Sequence, residues 1–106
     1  HGLANALMLP DSMAFIEAAD LADKQQRRID TIRALFAEAG RAGDSLVDET
    51  RSWIEELGIQ FGLKHHGIPV DDIPALADEA FLDTCHATNL IPVTRDDLAA
   101  VYEKAL

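Results

Sequence analysis

Four histidines and one cysteine are the residues of this 106-residue chain best suited to metal, acid–base or nucleophilic chemistry: His1, His65, His66, His86 and Cys85. A metal needs its ligands on one side of an element, and none of these spacings provides that. His65 and His66 are adjacent, so on any regular element they point in different directions, and no His-x3-His or Cys-x2-Cys occurs. Cys85 and His86 are also neighbours rather than facing groups, which argues against a thiolate and base pair without a partner from elsewhere. Taken singly, each histidine reads as a surface or core-edge residue. The bare pattern contains no complete site and no catalytic residue.

Other chemistries are excluded more directly. Neither G-x-G-x-x-G nor G-x-x-x-x-G-K occurs, so the chain offers no loop for a nucleotide phosphate. Adjacent acids such as Glu55–Glu56 and Asp71–Asp72 read as solvated faces and caps rather than acid–base dyads. Nineteen Asp and Glu stand against nine Lys and Arg, a net charge of −10. Such a surface repels nucleic acid, whose backbone requires clustered cations. The only basic cluster is Lys24, Arg27 and Arg28, read as a solvated helix face. The longest apolar run, Leu3 to Leu9, is interrupted by Asn5 and stopped by Pro10, far short of the ~20 residues of a membrane span. With a single cysteine no internal disulfide forms, and no basic segment precedes the opening apolar run as in a secretory signal; a cytoplasmic location is expected.

The elements that would position these residues are helical. Ile29, Ile32, Leu35 and Phe36 recur at spacings of three and four, which predicts a helix from about Gln25 to Ala39 closed by Gly40. Ser45 with Asp48 resembles a capping box that opens a second helix. Leu46, Thr50, Trp53, Ile54 and Leu57 form its apolar side, with Trp53 in the core, and Gly58 ends it. A third helix is expected with Asp71 as cap and Pro74 in its first turn, burying Ile73, Leu76, Ala80 and Phe81. Thr94 and Asp97 form a second capping pair, followed by Leu98, Val101, Tyr102 and Ala105 as an inward face. The opening segment, Gly2 to about Ala18, predicts a helix kinked at Pro10, and Gly58 to Pro69 a loop with one short turn. There is no internal repeat, and the length predicts one core with no second unit. The sum is an all-α bundle of about five helices.

One run changes the functional reading. His1-Gly2-Leu3-Ala4-Asn5-Ala6-Leu7-Met8-Leu9-Pro10 resembles the H-G-x-A-N-A-x-x-L-P signature of the iron-containing (group III metal-dependent) alcohol dehydrogenases. The likeness continues through Leu57-Gly58-Ile59, Leu63 and Gly67-Ile68-Pro69, then Asp72-Ile73-Pro74-Ala75-Leu76-Ala77. It ends in Asp83-Thr84-Cys85-His86-Ala87-Thr88-Asn89, so it covers essentially the whole chain. Departures are Leu90 and Ile91, where the family commonly has Pro and Arg, Asp11, where a non-acidic residue follows the signature, and Gln60 in place of a frequent proline. Without that arginine, any anion contact it makes in the family is not carried over.

The resemblance implies a C-terminal helical portion, residues 1–106, of a dehydroquinate synthase-like domain, with the N-terminal nucleotide-binding domain absent. In the family the leading histidine of the signature, His1 here, joins an Asp and two histidines from upstream in holding Fe2+, or sometimes Zn2+. The metal polarises an alcohol oxygen while hydride passes to NAD(P)+. By position Cys85 resembles a residue of the substrate cleft, with a buried structural thiol as the equal alternative. One imidazole holds a metal only weakly, because catalytic sites use about three protein ligands, so neither metal nor NAD(P) is expected to bind this chain tightly.

A chain opening on His1 rather than Met is expected to begin at a cleavage, an expression boundary or within a partial sequence. The implied partners are the missing domain and upstream helices. Leu3, Leu7 and Met8 would then form an exposed apolar seam that favours self-association. A competing reading from another class is a stand-alone helical interaction module without catalytic activity. A weaker one is a superfold relative such as glycerol dehydrogenase, whose signature differs at Ala4 and Asn5.

Overall fold

The computed structural model describes all residues, 1–106, and contains five α-helices and no strand. These are α1 (Gly2–Glu17), α2 (Asp23–Glu38), α3 (Leu46–Glu56), α4 (Ile73–Leu82) and α5 (Arg95–Lys104). One-turn 3-10 helices at Leu63–His66, Val70–Asp72 and Thr84–Thr88 fill the connections. No helix is long and apolar enough to cross a membrane. Length alone predicts one core, but the helices cluster into two compact units, His1–Ile59 and Gln60–Leu106.

In the first unit α3 is the centre, packed against both α1 and α2. Leu7, Pro10 and Ile16 of α1, Ile29 of α2, and Leu46 and Ile54 of α3 are buried. α1 continues through Pro10, which is itself buried. Pro10 has no N–H to give the Ala6 carbonyl, and two residues on Ser12 Oγ donates to the Met8 carbonyl at 2.9 Å. α2 starts two residues earlier than its apolar period suggests, because Gln25 Oε1 accepts from the Ala22 N–H at 2.8 Å. Gly40 closes it at φ +73°, a left-handed geometry that any side chain resists.

The opening of α3 follows the cap read from sequence. Ser45 Oγ accepts from the Asp48 N–H at 3.1 Å. Its first two amide groups are served from elsewhere: Glu17 at the end of α1 accepts from Leu46 N at 3.1 Å and Val47 N at 3.0 Å. A carboxylate at a helix N-terminus satisfies orphan donors and complements the helix dipole. Two further carboxylates are drawn into the core of the unit. Asp11 is bracketed by Arg51 Nη2, 3.4 Å from each oxygen, and so ties α1 to α3. Glu49, with only 2% of its side chain exposed, takes Arg33 Nη2 at 3.0 Å and the Gly43 N–H at 3.2 Å. Arg33 also donates to the Gly43 carbonyl at 2.8 Å. No buried polar side chain in the molecule lacks a partner.

The second unit is built on α4 against α5. Ile73, Ala77, Val101 and Ala105 form its core with Leu63. The expected cap at Asp71 is displaced: Asp71 and Asp72 lie in a 3-10 turn, Asp72 stands at the N-cap without a side-chain bond, and Pro74 occupies the first turn as expected. Thr94 and Asp97 do form a reciprocal box. Asp97 Oδ2 accepts from the Thr94 N–H at 2.8 Å while Thr94 Oγ1 accepts from the Asp97 N–H at 3.2 Å. Arg95 joins α5 to α4 through Asp78 at 2.7 Å and the Pro74 carbonyl at 3.0 Å. The Leu63 N–H donates to the Ala105 carbonyl at 2.8 Å, fastening the loop to the end of α5.

Several apolar residues expected inside are not. Trp53, Ile32 and Phe81 are each 41% exposed and Leu35 is 60% exposed. Periodicity identifies an apolar face but not whether another element covers all of it, and here the apolar faces of α2 and α3 are wider than their contact. Conversely Leu7, expected in an open seam, is 4% exposed, because α3 covers that side of α1; Leu3 remains exposed.

Two outcomes follow. Ser45→Ala should destabilise the chain by about 1 kcal/mol, read from the urea midpoint at constant m-value. Bonds from Thr94 hold the Asp97 carboxyl below its usual range. Its contribution to stability is therefore complete above the unfolded carboxyl value of about 4 and fades as pH falls through the lowered folded value. Denaturation between pH 6 and pH 2 should show a shallower loss of stability in Asp97→Asn than in the parent.

Candidate functional site

α1 sets the place of the first candidate. His1 is the N-cap of that helix and makes no side-chain cap bond. Its carbonyl accepts the Asn5 N–H at 3.0 Å, so its backbone is held in the first turn while the residue stays exposed. Leu7, Pro10 and the Asp11–Arg51 pair then fix the rod behind it. Asp11, the acidic departure from the signature, thus has a structural explanation: it is the α1 partner of Arg51.

The other histidines are engaged locally and apart from one another. His66 Nε2 lies 2.7 Å from the Gln60 carbonyl. His65 crowds Gly62, where a Cβ would come within 2.8 Å of the ring and, at φ +103°, only glycine is comfortable. The His86 ring stacks on Phe81, centroids 4.8 Å apart, and its Nε2 lies 3.0 Å from the Phe81 carbonyl. No three His, Cys, Asp or Glu side chains converge where they could hold a metal ion. The donor set of this chain alone therefore does not fit a catalytic metal, which takes about three protein ligands.

Cys85 is exposed, so the buried structural thiol is the alternative that fails. It sits in the 3-10 turn Thr84–Thr88, opened by Asp83, whose Oδ1 accepts from the Cys85 N–H at 2.9 Å. The hydrogen bond to Asp83, reinforced by its negative charge, pushes the thiol up, and the same bonds hold the Asp83 carboxyl down. His86 turns to Phe81 and not to the thiol, as adjacency in sequence suggests. An acid beside a thiol disfavours the thiolate, which makes Cys85 a poor nucleophile.

The features missed by sequence reasoning are the buried charges Asp11 and Glu49 and an apolar groove of about 370 Å³ between α2 and α3. Ile32, Leu35, Phe36, Ala39 and Trp53 line the groove, with Arg41 at its rim. Partners 16 and 40 residues apart leave no local signal, so neither buried carboxylate is visible in the pattern.

The chain is all-helical, with His1 exposed at the head of α1. All of residues 1–106 match the model of the Fe-containing alcohol dehydrogenase family, C-terminal. The chain belongs to that family. It is 31% identical over 108 residues to the lactaldehyde reductase of Escherichia coli (strain K12), covering 99% of this chain and 28% of the relative. It is 28% identical over 105 residues to alcohol dehydrogenase 4 of Saccharomyces cerevisiae (strain ATCC 204508 / S288c), covering 99% of this chain and 27% of that protein. Alcohol dehydrogenase 4 of Schizosaccharomyces pombe is 26% identical over 106 residues. The chain thus spans about a quarter of the length of these curated relatives. No solved structure matches it significantly.

The electrostatics at Cys85 are open to a direct test. Asp83→Asn keeps an oxygen acceptor for the Cys85 N–H but removes the charge, so the thiol should titrate at lower pH. Alkylation by iodoacetamide at pH 8 should then be faster than in the parent chain; an unchanged rate would show that Asp83 does not control the thiol.

Proposed function

We propose that this chain is the helical portion of a metal-dependent alcohol dehydrogenase, contributing His1 as one metal ligand and Cys85 to the wall of the substrate cleft. The observation that carries the proposal is the family match over the whole chain; it is supported by His1, first residue of the run His1–Pro10, standing exposed as the N-cap of α1. The names of the relatives, alcohol dehydrogenase and lactaldehyde reductase, describe the same interconversion of an alcohol and a carbonyl. That chemistry is the reading extended here.

Fe2+ or Zn2+ and NAD(P) belong to the complete enzyme, where the metal supplies Lewis acidity at the alcohol oxygen. This chain's own contribution is mechanical. A helix anchored through Leu7, Pro10 and the Asp11–Arg51 pair holds the ligand histidine in one place. The remaining ligands and the nucleotide-binding domain would be supplied from outside these 106 residues, and they are the proposed partners. Leu3, half exposed beside His1, is a contact point for those elements. A second reading, a helical interaction module, is favoured by one observation, the open apolar groove between α2 and α3.

Sequencing the reading frame upstream of the His1 codon tests the proposal. It should contain a Gly-Gly-Gly-Ser nucleotide loop and an Asp-x3-His motif, whereas an in-frame stop directly before the codon would favour the module. In the extended protein His1→Ala should lower metal content per chain, measured by plasma emission spectroscopy. Metal retained at full stoichiometry would remove His1 from the ligand set.

A further inference from the structure

The α2–α3 groove has properties that its neighbours do not share. Leu35, Ile32 and Trp53 present large apolar surfaces to water, and Phe36 meets Trp53 edge-on, centroids 6.1 Å apart at 69°. Trp53 is the only tryptophan of the chain. A concave apolar site with an aromatic anchor and an arginine rim has the composition of a binding surface rather than of an ordinary solvated face.

Charge tells what such a site would take. Arg33, Arg41, Arg51 and Arg95 are each committed to a carboxylate of this chain, to Glu49, Glu56, Asp11 and Asp78. Lys24, Arg27 and Arg28 are exposed and make no ion pair, although the chain carries 19 acids. At about 100° per residue, Arg28 lies on the same side of α2 as Ile32, Leu35 and Ala39, with Lys24 at the edge of that side. The acids Asp23 and Asp30 fall on the opposite side. The groove itself spans Ile32 to Arg41, with Arg41 paired to Glu56, and the unpaired Arg28 and Lys24 stand about one and two turns before it on the same side of α2. From Lys24 to Ala39 the axis is about 22 Å long, room for about four turns of a second helix.

We propose that the α2–α3 groove is a docking site for an amphipathic helix of a partner polypeptide, its apolar stripe over Leu35 and Trp53 and its acidic end beside Arg28 and Lys24. The unpaired cations select the acidic end by complementarity, and the apolar lining supplies the adhesion. The proposal uses no residue of the metal reading and stands or falls separately from it.

Trp53 emission reads the groove directly. The probes are three tryptophan-free 15-residue helical peptides with one Leu/Phe stripe and either Glu, Gln or Lys in a single terminal turn. The Glu peptide should give a saturable emission shift with a Kd about tenfold below that of the Lys peptide, a gap that narrows in high salt. Lys24→Glu with Arg28→Glu should reverse the order, and Leu35→Asp should abolish the shift for all three, with helix content checked by circular dichroism. The double charge variant alone decides the matter if Leu35→Asp proves unfolded. No saturable shift with any peptide, or equal affinity for all three, would overturn the proposal. So would an emission shift that depends on protein concentration alone, indicating a second copy, or one produced only by vesicles of anionic lipid.

Discussion

Glu49 is the carboxylate on which the packing of α2 against α3 depends. Its side chain is almost wholly out of water, a position tolerable for a charge only with full pairing. Arg33 from α2 and the Gly43 amide from the α2–α3 connection provide that pairing, and Arg33 returns a further bond to the Gly43 carbonyl. The register of α2 against α3 is set by this arrangement more than by their apolar contact, which leaves Ile32, Leu35 and Trp53 half open. Gly43 is suited to the place because even an added Cβ would press on Glu49 at 3.1 Å. The same logic repeats at Asp11 with Arg51 and at Glu17 over the α3 N-terminus, so three acids lock one small unit.

What was legible in the sequence was what is decided over a few residues. Ser45, Gly40, Gly58, and the Thr94–Asp97 box act on amides three or four positions away, and the helices they delimit are found where those residues stand. The all-helical class followed from those signals and from apolar spacing. Burial was less legible. The 3.6-residue period correctly gave Ile29, Ile54, Ile73 and Val101 an apolar face, but it could not tell that Trp53 and Leu35 lie beyond the reach of the neighbouring helix. Cys85 had two readings in sequence, and its exposure removes one of them. The buried acids were invisible because their partners lie 16 to 40 residues off, and nothing in a local window distinguishes them from solvated carboxylates.

The candidate site shows the same division between local and distant causes. The ten-residue run from His1 to Pro10 carried the family reading, and the match extends over residues 1–106. His66 and His86 are each absorbed by a nearby carbonyl and His65 packs against Gly62, whereas His1 at the head of α1 makes no side-chain cap bond. One imidazole by itself supplies fewer ligands than a catalytic metal takes.

The pairing of helices close together in sequence has a kinetic consequence. α2 meets α3 within the first unit and α4 meets α5 within the second, each across a short connection, whereas α1 reaches α3 only over the whole of α2. Little chain entropy is lost before such contacts form, because closing a short loop restricts few residues. Helical topologies of this kind assemble on the order of microseconds to milliseconds.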